Sequence, residues 1–299
     1  YSIYTALADT NKLINATDPT LILKAIKNQT EIKNIKDAHI KDGVAVVKFL
    51  HYVKTKIKHD PNLSELSVTS VLENFRKSQP GFIDISFNTI CGYNEHSAMM
   101  HYSANEKTNY ILKPEGFLLI DSGGHYLEGS TDITRTISLG RPTNEMKLHF
   151  TTVLKSVIAL SEAVFLKGVR GINLDILARG PIWKLLIDYK CGTGHGVGYV
   201  LNVHEGPNGF HWGRKAYTTA LEEGMITTDE PGIYIEGAYG IRLENELVCR
   251  KGDKNEYGQF MYFEPITFVP FDLDAIEATQ LNETEKKYLS SVALQALQA

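Results

Sequence analysis

The amino-acid sequence predicts an α+β fold, with helices packed on a curved, largely antiparallel sheet. Two patterns carry that expectation. Apolar residues recur every three or four positions across residues 30–60, 64–77 and 143–187, and from about residue 192 glycine-dense turns separate short apolar runs. Helices first and hairpins after them form this class. Size agrees: a chain of 299 residues buries about three quarters of its unfolded surface and needs no disulfide or metal merely to fold.

Taken in order, residues 1–28 mix polar and apolar side chains without a period. They read as a linker or the tail of a missing N-terminal domain, which leaves 29–299 as one domain. Thr30, followed by Glu31, is the expected cap of a first helix with Ile32, Ile35, Ala38, Val46, Phe49, Leu50 and Val53 on its apolar stripe. Asp60-Pro61-Asn62 ends it. A second helix is expected over 64–77, stopped before Pro80-Gly81, and short strands over 83–87 and 89–92. An apolar strand follows over 116–121, then another over 131–139. Thr143 caps a helix presenting Met146, Phe150, Val153, Leu154, Val157 and Val164, and a further helix lies near 174–187. Strands are expected at 225–228, 233–235, 241–249 and 266–269, and a last helix from about Glu283 to Leu297.

Composition excludes several partners. A net charge of −4 offers no field to attract a phosphate backbone, so no nucleic acid is expected. No apolar run approaches the roughly 18 residues a membrane span needs. Cys91, Cys191 and Cys249 are far apart and odd in number, which points to a reducing, cytoplasmic setting rather than a disulfide framework. The triplets at Asn15, Asn28 and Asn282 read as chance glycosylation matches.

Chemistry is suggested where acids interrupt apolar strands. Asp121 ends Phe117-Leu118-Leu119-Ile120, and Asp132 begins the next strand. A hairpin turning at Tyr126–Leu127 would set the two carboxylates opposite each other, although either Asp alone would also serve as a turn cap. Glu230 and Glu244 are likewise centred on Gly237, in a loop suited to a hairpin tip, and Glu246 shares the face of Glu244. Opposed like charges destabilise a sheet unless a proton or cation lies between them. His195 stands in Gly192-Thr193-Gly194-His195-Gly196-Val197-Gly198, which fits neither a dinucleotide fingerprint nor a P-loop. With no side-chain neighbours to pack on, this histidine is a ligand candidate, and His204 lies nine residues further on. One imidazole with four carboxylates suits a manganese, cobalt or zinc ion. Five ligands exceed the need of one catalytic ion and suit two that share bridging carboxylates.

The strings DSGGHYLEGSTDITRT (121–136), GTGHGVGYVLNVHEGP (192–207), TDEPGIYIE (228–236) and GIRLEN (240–245) resemble the M24 metallopeptidases of pita-bread fold, and among them the Xaa-Pro aminopeptidases (aminopeptidase P). The likeness runs in order from about residue 22 to 290. It implies that Asp121 binds one ion, that Asp132 and Glu244 bridge two, and that His195 and Glu230 bind the other. It makes His204 a partner of the scissile carbonyl or tetrahedral intermediate, His101 a residue lining the substrate site, and Arg242 a support for Glu244. Many relatives carry a second histidine where this chain has Cys191.

The implied reaction is hydrolysis of the first peptide bond before proline, by a hydroxide held between two divalent ions, manganese first and zinc or cobalt next. Glu230 would pass a proton to the leaving nitrogen. The implied partner is a peptide with proline second, and the implied assembly a homodimer of the full-length, cytoplasmic protein. Prolidase, or another M24 aminopeptidase such as methionine aminopeptidase, is the nearest alternative. Asn202-Val203-His204-Glu205-Gly206-Pro207 and Phe263-Glu264-Pro265-Ile266 fit aminopeptidase P better. A non-catalytic pita-bread binding module is the remaining reading, and such modules lose ligands that this chain keeps.

Overall fold

The computed structural model describes residues 5–6, 16, 18–200, 202–213 and 218–298. Asn15 and most of residues 1–17 lie outside the described residues. Helix α1 (Thr20–Ala25) leads into the long α2 (Gln29–Lys56). Its cap is Asn28, not Thr30. The Asn28 side chain accepts from Glu31 N at 3.0 Å, and the Glu31 carboxylate accepts from Asn28 N at 2.8 Å. Only Asn28 has a glutamate three residues on, so only it closes a reciprocal box. Helix α3 (Glu65–Lys77) is capped by Ser64, and α4 (Asn144–Ser161) by Thr143.

Between them lie β1 (Phe82–Ile85), β2 (Ile90–Tyr93), β3 (Phe117–Ser122), β4 (Gly124–Tyr126), β5 (Gly129–Ser130) and β6 (Ile133–Ser138). Strand β3 is the centre of the antiparallel sheet β2–β3–β6, and each of its residues is buried. Leu118 and Ile120 pack under Val46 and Phe49 of α2 and Leu72 of α3, whereas Phe117 packs with Phe150 and Val153 of α4. Burial on both faces is why this strand reads as an unbroken apolar run.

The second half holds β7 (Val164–Leu166), α5 (Gly171–Trp183), β8 (Gly194–His195), β9 (Gly209–Phe210), β10 (Ile226–Asp229), β11 (Gly232–Ile235), β12 (Tyr239–Arg242), β13 (Asn245–Asn255), β14 (Gly258–Pro265) and α6 (Glu283–Gln298). Every named ladder is antiparallel. The single strand expected over 241–249 is two strands broken at Leu243 and Glu244, where Glu244 N turns to donate to Thr134 O at 3.1 Å. The strand expected over 266–269 is not formed: past Pro265, where β14 ends, only Ile266 N donates on to Glu246 O at 2.9 Å, and the carbonyl of Val269 is taken by Arg135. Helix α5 starts at Gly171 rather than near 174 and stops at Trp183, two residues past Pro181. Among the described residues no helix is long and apolar enough to cross a membrane, and the three cysteines are free.

One buried ion pair ties the first layers together. Arg76 of α3 donates from Nε to Asp42 Oδ1 at 2.7 Å and from Nη2 to Oδ2 at 3.0 Å, and Tyr126 of β4 donates to the same Oδ1 at 2.8 Å. The two charged side chains are 0% and 3% exposed. Arg76→Met would leave Asp42 buried and uncompensated, so a loss of about 3–5 kcal/mol is expected. Urea unfolding should show a lowered midpoint with unchanged slope. Tyr126→Phe removes one neutral donor and should cost about 1–3 kcal/mol.

Candidate metal centre

The register of β3 and β6 pairs Asp121 with Thr134, so the turn is centred between Leu127 and Glu128, one residue beyond the expected tip. Asp132 therefore lies diagonally from Asp121 rather than opposite it. A displacement of two keeps both carboxylates on one face. The tip itself folds into the β4–β5 hairpin, and Gly123 permits that bend, since a Cβ there would stand 1.8 Å from Thr131 O.

The β11–β12 register is centred on Gly237, as the spacing predicts. Extended outward, it sets Glu230 against Glu244 just beyond the ladder. On β8, His195 donates its backbone N–H to Thr228 Oγ1 at 3.0 Å. Gly194 makes the approach possible, because a Cβ would meet Thr228 O at 1.8 Å.

These elements bring ligand atoms of Asp121, Asp132 and Glu244 within 4.8 Å of one another, and the same holds for His195, Glu230 and Glu244. A third set at that spacing joins Asp132, His195 and His204. The two carboxylate-rich sets share Glu244, as a two-ion arrangement requires. His204 is exposed, with its ring 4.0 Å from that of His195. A cleft of about 640 Å³ opens over the cluster, lined by His101, Cys191, His204, His211 and Tyr234 among others. His101 belongs to this wall and to none of the three sets. His211, which no motif in the sequence singles out, lines the cleft as well.

The electrostatics are those of crowded acids. Burial, with the Asp121 and Glu230 charges, pushes the Asp132 carboxyl up to about 7. Burial also raises Glu230 and, more strongly, Glu244, whose carboxylate neighbours add to the effect. Burial alone would lower the His195 imidazole, but the Asp132 and Glu230 carboxylates outweigh it and hold it at about 9. His195 Nε2 stands 3.4 Å from an oxygen of each and hydrogen-bonds neither. Its Nδ1 faces Gly196 O at 3.0 Å, which turns Nε2 toward the carboxylates. The buried Asp121 Oδ1 is also without a partner. Two orphaned ligand atoms among repelling carboxyls fit a divalent cation, by the chemistry of the donor set.

Several supports escaped the sequence reading. Thr134 Oγ1 donates to Glu244 Oε2 at 2.7 Å, and Thr228 Oγ1 to Glu230 Oε1 at 3.1 Å. Glu246 accepts from the backbone N of Asp132 at 2.8 Å and faces His39 Nε2 at 3.2 Å. Period-two alternation could have found Thr134, which shares a face with Asp132. Arg242 serves Asp121 directly and Glu244 through a hydroxyl, its Nε donating to Thr134 Oγ1 at 3.3 Å. It donates to Asp121 Oδ2, to Tyr234 Oη at 2.8 Å and to Met100 O at 3.4 Å, and its Nε lies 4.0 Å from Glu230. Glu244, two residues along, accepts from that same Thr134 hydroxyl.

Comparison with known proteins agrees with this geometry. The model of metallopeptidase family M24 matches residues 33–251. The chain is 39% identical over 294 residues to a probable Xaa-Pro aminopeptidase P of Paracoccidioides brasiliensis, covering 97% of this chain and 48% of the relative. It is 39% identical over 293 residues to Xaa-Pro aminopeptidase 1 of Dictyostelium discoideum, covering 97% and 46%. The chain thus spans about half the length of these relatives. The crystal structure of X-prolyl aminopeptidase from Caenorhabditis elegans, described as a cytosolic enzyme with a di-nuclear active site, superposes with a TM-score of 0.92 at 33% identity, over 98% of this chain and 48% of that one. Xaa-Pro dipeptidase from Bacillus anthracis superposes at 0.74 with 31% identity, over 91% and 71%.

A cation that relieves this repulsion must stabilise the fold. Manganese at about 100 times its dissociation constant should add about 2.7 kcal/mol, seen as a raised thermal midpoint. Asp132→Asn and Glu244→Gln should bind one ion or none by metal analysis and lose most of that increment. Full metal content in either variant would remove the carboxylate from the ligand set.

Proposed function

We propose, from the premise that this chain belongs to metallopeptidase family M24 and has its pita-bread fold, that residues 29–299 form the catalytic domain of a metal-dependent Xaa-Pro aminopeptidase. The observation that carries the reading is the cluster itself: Asp121, Asp132, His195, Glu230 and Glu244 in two overlapping sets of ligand atoms. These residues would hold two divalent cations, and the oxygen-rich donor set favours manganese. The fold match is also closer to the X-prolyl aminopeptidase than to the dipeptidase, at TM-scores of 0.92 and 0.74. By analogy with the cytosolic relative, and with the family, the full-length protein would be a cytoplasmic homodimer.

Cations bound there would supply Lewis acidity and lower the pKa of water at the site toward neutrality. The chain's own residues account for the rest. Proline has no N–H and a fixed ring, so strand-like pairing cannot hold it at that residue. The cleft wall, including His101, must position it instead. His204 is pushed down to about 4 by desolvation and by the positive field of His195. A neutral ring keeps one N–H, which can be donated to the oxyanion developing on the scissile carbonyl. Glu230 has a side chain 20% exposed, against 10% for Asp121 and 4% for Asp132. It is therefore the carboxyl best placed to pass a proton to the leaving nitrogen. Arg242 holds Asp121 in place and ties it to the segment carrying His101 through Met100 O.

His204→Ala should lower kcat by about two to three orders of magnitude, the worth of one oxyanion donor, while both metals stay bound. Metal loss in that variant would make His204 a ligand, which the third set of atoms also admits. Substrate class is tested with Arg-Pro-Pro, Ala-Pro and Met-Ala-Ser peptides. Release of arginine from the first alone supports the reading, and cleavage of Ala-Pro alone points to prolidase. A preference for Met-Ala-Ser would overturn Xaa-Pro specificity. The five ligands do not themselves choose proline, so this chain should show lower kcat/KM than the full-length protein, where remote contacts add to the transition state.

A further inference from the structure

Two lysines of the segment that leads into the domain reach the loop between His195 and His204. Lys27 is 3% exposed. Its Nζ donates to the carbonyl of Val197, and its backbone N–H donates to Gly224 O at 3.0 Å. Lys24, three residues earlier, pairs with Glu205 Oε2 at 3.2 Å, and the Glu205 side chain is only 5% exposed. Val197 is two residues past His195, and Glu205 is the residue after His204. Both ends of the loop are therefore held from one short segment.

The rest of the loop closes on itself and on the sheet. Glu205 N donates to Gly196 O at 2.8 Å, Gly198 N to Asn202 O at 2.9 Å, and Gly196 N to Asn208 O at 2.9 Å. Asn208 in turn donates to Ile226 O and Thr227 Oγ1 of β10 at 2.8 and 2.7 Å. Asn208 fastens the loop to the sheet, and the lysines fasten it from the side of α1. A buried ammonium is costly to desolvate, and an apolar side chain of similar volume is often as stable or more so. Stability alone does not explain a lysine at position 27.

We propose that Lys27, with Lys24, is a positioning residue for His204, holding its loop at the distance from the metal cluster at which the ring can meet a reacting carbonyl. The role rests on the reading of His204 as the oxyanion donor. Displacement of such a donor by about 1 Å can cost about 100-fold in rate, so a clamp at both ends of its loop has a kinetic purpose. Lys27 touches neither substrate nor ligand and acts only through the loop.

Lys27→Met keeps the aliphatic stem and removes the ammonium. Hydrogen–deuterium exchange of the metal-loaded protein should then speed up in peptides covering 196–205 and stay unchanged in α3. This readout is independent of any activity, so it judges the clamp even if the wild-type chain cleaves no Xaa-Pro peptide. On Arg-Pro-Pro, kcat should fall by up to about 100-fold, with KM and metal content retained. In a His204→Ala background the same change should cost nothing further, since a residue acting through His204 has nothing left to position. Lys24→Met, at a half-exposed site that cannot compromise the core, should give a smaller effect of the same kind. Unchanged exchange in the loop, an equal loss of kcat in the His204→Ala background, or loss of metal would each overturn the proposal.

Discussion

Four charged carboxylates cannot share a buried pocket unless protons or positive charge stand among them, and the centre of this molecule is arranged around that repulsion. Asp121, Asp132, Glu230 and Glu244 come from two hairpins whose registers aim them at one point. The chain supplies two cationic groups of its own. Arg242, 3% exposed, is spent on Asp121 and stands near Glu230. His195 faces Asp132 and Glu230 and is held charged by them. Glu244, the most enclosed of the four, has only the hydroxyl of Thr134 and no cation. It is also the carboxylate common to both carboxylate-rich sets. The unmet charge is therefore concentrated where a bridging ligand would sit.

Outside the pocket, the fold works to keep those hairpins from relaxing apart. Arg135, on the opposite face of β6, donates to the carbonyl of Glu244 at 2.6 Å and to Asn245 Oδ1 at 2.9 Å. It fixes the break between β12 and β13 that turns Glu244 inward. Glu246 holds the backbone of Asp132 across from the next strand. The apolar layers on either side, from α2 and α3 on one face and α4 on the other, leave β3 no freedom to move Asp121. Repulsion at the centre is offset by packing at the periphery.

Much of this was legible in the sequence, and what was missed has a common cause. Patterns that act within one strand or helix were readable: the apolar run ending in Asp121, the Gly237 centre, the cap at Thr143. Register was legible only to within two residues, because Gly123 and the β4–β5 hairpin absorb length that spacing alone assigns to the turn. The cap at Asn28 was misread for lack of weight on the reciprocal Glu31 bond. Tertiary pairings were not legible at all. Nothing in the sequence sends Arg242 to Asp121, or Lys27 to Val197, since each joins residues more than a hundred positions apart. The strand expected over 266–269 failed for the same reason: a distant arginine, not a neighbouring strand, takes one of its carbonyls.

The cleft wall shows how a substitution can change substrate contacts without touching the ligands. Cys191 lines the cleft at the position where the family resemblance implies a histidine, and it belongs to none of the ligand sets. Burial, with the Glu230 charge, pushes its thiol up to about 11. The sulfur is thus uncharged at neutral pH and only a weak donor. Its backbone is nevertheless fixed, because Arg179 donates to the Cys191 carbonyl at 2.7 Å and to Tyr189 O at 2.7 Å. A thiol there, in place of an imidazole, gives the wall one strong hydrogen-bonding group fewer. His101 and His211 then remain as the wall's other imidazoles beside His204. A change at position 191 therefore alters the cleft wall and leaves the three sets of ligand atoms as they are.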